Sequence, residues 1–200
     1  MRQYSAGPKE IFFSQLKIRV LPGLCLRRLF LIILLGLLIG CGEEIPEPPR
    51  EKFELISQAA WAPVEEGQDP FSGENIPSNC GPGGYKVEST ILEIETDICP
   101  YVTLKQTTLD DVETGDSIKF HFWHLTLISD PPSEAHVVVQ LGPKHKFEQR
   151  IAIPASEQIY PVIWEVTEKI PKGSEMFLHL HNHGYNSYRL SKVEVIPPSE

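Results

Sequence analysis

Eleven apolar residues, Leu29 to Ile39 (LFLIILLGLLI), run without a polar interruption between Arg27-Arg28 and Gly40-Cys41. As a helix this run would rise about 16 Å, too short for the roughly 30 Å of a bilayer's hydrocarbon, so it reads as a signal-peptide core and not a permanent span. From Tyr85 onward the pattern changes to short runs rich in Val, Ile, Thr and aromatic residues, separated by Gly and Pro turns about every eight to twelve residues. Strands are predicted over residues 87–95, 101–107, 117–128, 135–141, 146–153, 159–168, 175–182 and 187–196. With no long helix between them, these runs predict an all-β fold, a two-sheet antiparallel β-sandwich.

The alternation assigns faces. In the third run Ile118, Phe120, Phe122, His124, Thr126 and Ile128 share one side, while Lys119, His121, Trp123, Leu125 and Leu127 share the other; both sides are partly apolar, so the strand is expected in the middle of its sheet. The fourth run sets Ala135, Val137, Val139 and Leu141 against His136, Val138 and Gln140. The last sets Tyr188, Leu190 and Ile196 against Arg189, Val193 and Val195. Turns are expected at Glu113-Thr114-Gly115-Asp116, Leu141-Gly142-Pro143-Lys144 and Ile170-Pro171-Lys172-Gly173, where proline fixes φ and glycine permits reversal.

Ahead of the strands the chain divides into three. Residues 1–40 are read as a signal peptide; the stretch before Arg27 is long for such a peptide, which points to translation starting near Val20 or Leu21. Leu38-Ile39-Gly40-Cys41 resembles the lipobox of bacterial lipoproteins, and the resemblance implies cleavage before Cys41 and lipid on its thiol. By resemblance to the sorting rule of Gram-negative lipoproteins, Gly42 implies the outer membrane, on its periplasmic or surface face. Residues 41–52 are a tether that Pro46, Pro48 and Pro49 keep extended. Residues 53–84 are expected to be an irregular extension packed on the sandwich of residues 85–200, with FELISQAAW spaced for a short amphipathic helix.

Charge narrows the partners. The chain carries −9 overall, and residues 1–40 carry +5, so the mature part stands at −14. Such a chain is repelled by phosphate, which argues against nucleic acid. Cys25 leaves with the signal and Cys41 goes to lipid, so Cys80 and Cys99 remain as an even pair, expected as a disulfide in an oxidising compartment.

The segment from Cys99 to Val195 contains YVTLKQTTL, a GD turn before a long aromatic strand, a PKG turn and the closing HLHNHGYNSYRL. It is similar to a group of uncharacterised Gram-negative lipoproteins sharing an HNHGxNS block, which implies no activity. More distantly the layout resembles the jelly rolls of carbohydrate-binding modules and galactose-binding-like domains. Gly173 followed by His179-Leu180-His181 also resembles the opening of the cupin metal motif, but the glutamate that should follow is missing.

Two readings of the histidines stand side by side. His179, His181 and His183 alternate, so a strand would project all three from one face toward a metal, with a further ligand drawn from His121, His124, His136 or His145. Alternatively Asn182-His183-Gly184 is a turn, and His179 and His181 are partly buried beside aromatic rings. No cofactor and no catalytic residue is expected, since there is no GxSxG elbow or free cysteine nucleophile. Asp110, Asp111, Glu113 and Asp116 lack EF-hand spacing. If a glycan binds, rings among Trp123, Trp164 and Tyr185 should stack on it, with Asn182, Asn186 and Gln140 supplying hydrogen bonds. The expected function is a non-catalytic, lipid-anchored envelope protein held to the membrane through Cys41 and contacting a glycan or another envelope protein. The rivals are a metal-dependent cupin-like enzyme and a structural partner in an envelope complex.

Overall fold

The computed structural model describes residues 49–65, 67–71 and 79–199; the expectations for the signal peptide, Cys41 and the tether up to Pro48 fall outside them. The described residues build two antiparallel sheets. In the first, β3 (Tyr85–Glu88), β4 (Ile91–Glu95), β11 (Ser187–Leu190), β6 (Ser117–His124) and β9 (Gln158–Glu165) lie side by side. Strand β12 (Glu194–Ile196) continues β11 along β6, and β1 (Phe53–Glu54) pairs with β12. The second sheet runs β2 (Ala62–Pro63), β5 (Tyr101–Thr107), β10 (Glu175–His181), β7 (Ser133–Leu141) and β8 (His145–Ile153). The chain passes repeatedly from one sheet to the other, as in a sandwich of jelly-roll type.

Alternation explains the core. Ile118, Phe120, Phe122 and His124 of β6 turn inward, and across the gap Ala135, Val137, Val139 and Leu141 meet them from β7. Phe122 stacks on Tyr188 with ring centroids 6.0 Å apart, and Phe120 meets Trp164 edge-on at 4.9 Å. As expected, β6 is internal to its sheet, between β9 and the β11–β12 line.

Four expectations change. The run 87–95 is a hairpin, because the chain reverses at Ser89, whose φ is +59°, and sends β3 back along β4. The run 117–128 ends as a strand at His124, since the chain there leaves the first sheet for the second. Leu127 is consequently buried in the crossover, exchanging backbone hydrogen bonds with Ala155, while Thr126 and Ile128 face outward. The run 187–196 contains a bulge: Leu190 pairs with Phe122 but Glu194 with Lys119, so one extra residue is accommodated between them. Val193 and Val195 therefore join Tyr188 and Leu190 in the core, not the opposite face. Finally, FELISQAAW forms β1 and a single 3-10 turn, Gln58–Ala60, because Leu55, Ile56 and Trp61 are buried in the core while β1 completes a sheet edge.

Two cross-links hold the ends of these elements. Cys80 and Cys99 are joined by a disulfide, whose loop of 18 intervening residues contributes about 3 kcal/mol in the chain-entropy account. Gly84 lies so close that a Cβ there would come within 2.7 Å of the Cys99 Cβ. Asp116, in the predicted Glu113–Asp116 turn, is fully buried and takes two hydrogen bonds from Arg50, at 2.9 and 3.0 Å. Asp111 and Glu113 are both engaged by Lys169. Three acids of the Asp110–Asp116 group thus serve as ion-pair partners.

Candidate functional site

Three connections meet at one end of the sandwich: residues 96–100 after β4, 125–132 after β6 and 182–186 after β10. Asn182 ties them together. Its amide nitrogen donates to Thr96 Oγ1 at 2.8 Å and to the Gly184 carbonyl at 3.2 Å. Its oxygen accepts from Tyr188 Oη at 2.7 Å and from Asn186 Nδ2 at 3.2 Å. Asn186 in turn accepts the Ile128 N–H at 2.7 Å. Both asparagines are buried, Asn182 to 1% exposure. Burial also raises the Tyr188 hydroxyl above its ordinary pKa, with the Tyr160 hydroxyl adding to the effect. Gly184 has φ +99°, and a Cβ there would run into the Ile128 carbonyl. Only glycine lets the turn close on the neighbouring loop.

Between these loops lies an open pocket of about 810 Å³, lined by Thr96, Asp97, Ser129, Asp130, Ser133 and His183, with Pro100, Pro131 and Ile128 as apolar wall. Tyr185 also lines it and is 76% exposed. Neither Asp97 nor Asp130 has an ion-pair or hydrogen-bond partner among the described residues, and no lysine or arginine lines the pocket. The Ser133 hydroxyl oxygen is buried without a partner, whereas Ser129 donates to the Pro131 carbonyl. Neither serine is therefore seated on a histidine base among the described residues. The arrangement offers acceptors, hydroxyls and a ring face, which is chemistry for binding.

The histidines occupy a different surface, the outer face of the second sheet. His179 and His181 share it, with His136 opposite His181 on β7 and Tyr101 opposite it on β5. Thr103 Oγ1 donates to Asp69 Oδ2 and accepts from His179 Nδ1, each at 2.8 Å. Tyr101 Oη also donates to Asp69, at 2.8 Å, and Phe71 lies 5.2 Å from the His179 ring. Residues 67–71 thus fold over this face, and Asp69 holds them there. Burial first, then the Asp69 carboxylate, raises the pKa of Tyr101. His136 Nε2 is bonded to Glu148 at 2.8 Å. His183 lies beyond the strand, with its ring 4.8 Å from that of His181. Among the described residues no three His, Cys, Asp or Glu side chains are grouped to hold a metal. His121 is exposed on the other sheet, His124 is in the core and His145 lies against Trp164.

His179 yields a pH prediction. Burial lowers its pKa from 6.5 to about 4; Asp69 and Glu148 pull it upward, and His136 and His181 push it down. Burial likewise lowers His181, helped by His183, His136 and Arg150. The unfolded chain protonates His179 first, so the stabilisation from its neutral form is complete above about pH 6.5 and is lost as pH falls toward 4, on the order of 3 kcal/mol. Urea unfolding of wild type and His179→Gln between these limits should show the stability difference shrinking with acid. A difference independent of pH would refute the assignment.

The residues nominated from sequence divide accordingly. Tyr185 stands at the pocket rim. Asn182 lines the pocket and Asn186 does not, and the amides of both are engaged internally, so they position its loops. Trp123 is half-buried on the outer face of the first sheet beside Arg189 and Ile159, and Gln140 sits beside Phe177 on the second sheet. Trp164 is a core residue, because inward positions of β9 face the second sheet, and its ring meets Phe120 and His145. Its nomination as an exposed stacking surface is corrected. Asp97, Asp130 and Ser133 escaped notice. A turn signal was present at Asp130-Pro131-Pro132, but nothing local said which loops would converge.

No protein-family model and no curated protein sequence matches the chain. Among solved structures it is similar to one described as "CBM4 structure and function", at 13% identity and TM-score 0.40, covering 74% of this chain and 95% of that one. It is also similar to the N-terminal cellulose-binding domain of Cellulomonas fimi β-1,4-glucanase C, at 10% identity and TM-score 0.39, covering 77% and 99%. A third likeness is TmCBM61 in complex with β-1,4-galactotriose, at 6% identity and TM-score 0.33, covering 54% and 70%.

Proposed function

We propose that this chain is a lipid-anchored envelope protein whose sandwich binds a glycan, without catalysis, in the pocket at the end formed by residues 96–100, 125–132 and 182–186. One observation carries the reading: Tyr185 holds its ring 76% exposed at the rim of a pocket lined with hydroxyls and carboxylates. The fold gains little from that ring, whereas sugars present apolar faces to rings and hydroxyls to acceptors. The volume of about 810 Å³ suits a few sugar units.

Calorimetric titration of the intact protein in detergent with envelope polysaccharides and peptidoglycan fragments should find a binder. Tyr185→Ala should weaken it about tenfold, the loss of roughly 1.4 kcal/mol, with the melting temperature unchanged. Absence of heat from every glycan, with the protein shown folded by circular dichroism, would remove the glycan reading and favour a protein partner. Ile159 and Ile163, both exposed on the edge strand β9, are the surface on which such a partner would be sought.

The anchor has its own test. Cys41→Ser removes the thiol that acylation requires, so it should abolish retention in the membrane fraction and leave an uncut precursor. Equal amounts of cleaved, membrane-bound protein in wild type and variant would end the lipoprotein reading.

A further inference from the structure

We infer that the end pocket selects glycans bearing protonated amines, as in de-N-acetylated hexosamine oligomers, over their N-acetylated or anionic counterparts; this rests on the glycan reading of the same pocket. Many acids elsewhere in the domain are matched with bases. Arg50 engages Asp116, Arg189 and Lys86 engage Glu93, Lys146 engages Glu148, and Lys144 engages Glu168. In the pocket Asp97 and Asp130 stand without such partners among the described residues, and the lining contains no lysine or arginine. The charge of −14 on the mature chain adds to the field there.

Three terms favour an ammonium over a hydroxyl or an acetamide. A hydrogen bond from a cation to a carboxylate is roughly twice as strong as a neutral one. A cation is also drawn to the face of an aromatic ring such as Tyr185. The loops that carry the carboxylates are fixed by the Thr96, Asn182 and Asn186 network, so little ordering is needed on binding. A uronate or phosphate polymer would meet two unneutralised carboxylates and be repelled. Acetylation removes the charge and both electrostatic gains while leaving stacking intact.

The test titrates the intact protein in detergent with glucosamine, N-acetylglucosamine and galacturonate oligomers of equal length at low and high salt. The glucosamine oligomer should bind about tenfold more tightly than the acetylated one at low salt, and the margin should narrow as salt screens it. Changing both Asp97 and Asp130 to Asn should erase the margin, weakening the glucosamine oligomer about tenfold more than the acetylated one. Tyr185→Ala should weaken both. Equal or tighter binding of the acetylated oligomer by the wild type, or a preference that survives the double substitution, would overturn the inference and leave the glycan reading standing. So would binding of only some other glycan. No binding of any glycan would remove both.

Discussion

Replacing Trp164 by alanine is expected to lower the stability of the folded domain by about 3–5 kcal/mol, the usual loss for deleting a large buried aromatic side chain. The indole is only 9% exposed and meets Phe120 at 4.9 Å and His145 at 5.7 Å. Its cross-strand partner is Ile118, which is fully buried. The surrounding strands are held by ladders on both sheets and have little freedom to close over the hole. Urea unfolding by linear extrapolation measures the loss. The same variant separates a core role from a binding role: glycan affinity per folded molecule should not change, because Trp164 is not among the residues of the end pocket. A variant of wild-type stability with weakened binding would return Trp164 to the list of stacking residues.

The second large effect is expected at Asn182. Alanine there strands the Tyr188 hydroxyl, which is buried and loses its acceptor, and takes a donor from Thr96 Oγ1. Leaving a buried polar group unpaired costs about 1–3 kcal/mol, and the small cavity adds to it, so a loss of about 3 kcal/mol is expected. The two-residue test is sharper. Tyr188→Phe removes the stranded hydroxyl, so combining it with Asn182→Ala should cost less than the sum of the single changes by about 1 kcal/mol or more. Strict additivity would show that the hydrogen bond contributes nothing. Asn182→Ala should also weaken glycan binding, since the loops bearing Asp97, Asp130 and Tyr185 lose their common tie. In that respect it differs from Trp164→Ala, which acts on stability alone.

These two positions show how unevenly the site was legible. Trp164 and Tyr185 look alike in the sequence, each an aromatic residue in a β-rich region. What separates them is parity on β9 for the one and a turn pressed against Ile128 for the other. The HNHGYNS block was recognisable as a turn, and its asparagines as hydrogen-bonding residues. Their partners Thr96 and Ile128 lie 86 and 58 residues away in the chain, and no local pattern names them. Likewise His179 and His181 were visible as a pair on one face with His183 beyond them, but the ring beside His179 is that of His136 from β7, at 5.2 Å, because strand order places β10 between β5 and β7.

By itself the sequence determined the all-β class, most strand positions, the division of β6 and β7 into two faces and the pairing of Cys80 with Cys99. Each depends on short-range periodicity or on residue counting, and a strand's two-residue repeat is written directly into its side chains. Only the tertiary structure decided the bulge between Leu190 and Glu194, the burial of Leu127, the clasp of Asp69 on Tyr101 and Thr103, and the meeting of Asp97, Asp130 and Tyr185 around one pocket. Those features arise where segments from distant parts of the chain meet. Their geometry follows from strand order and loop contact, and neither is carried by the residues on either side of a loop.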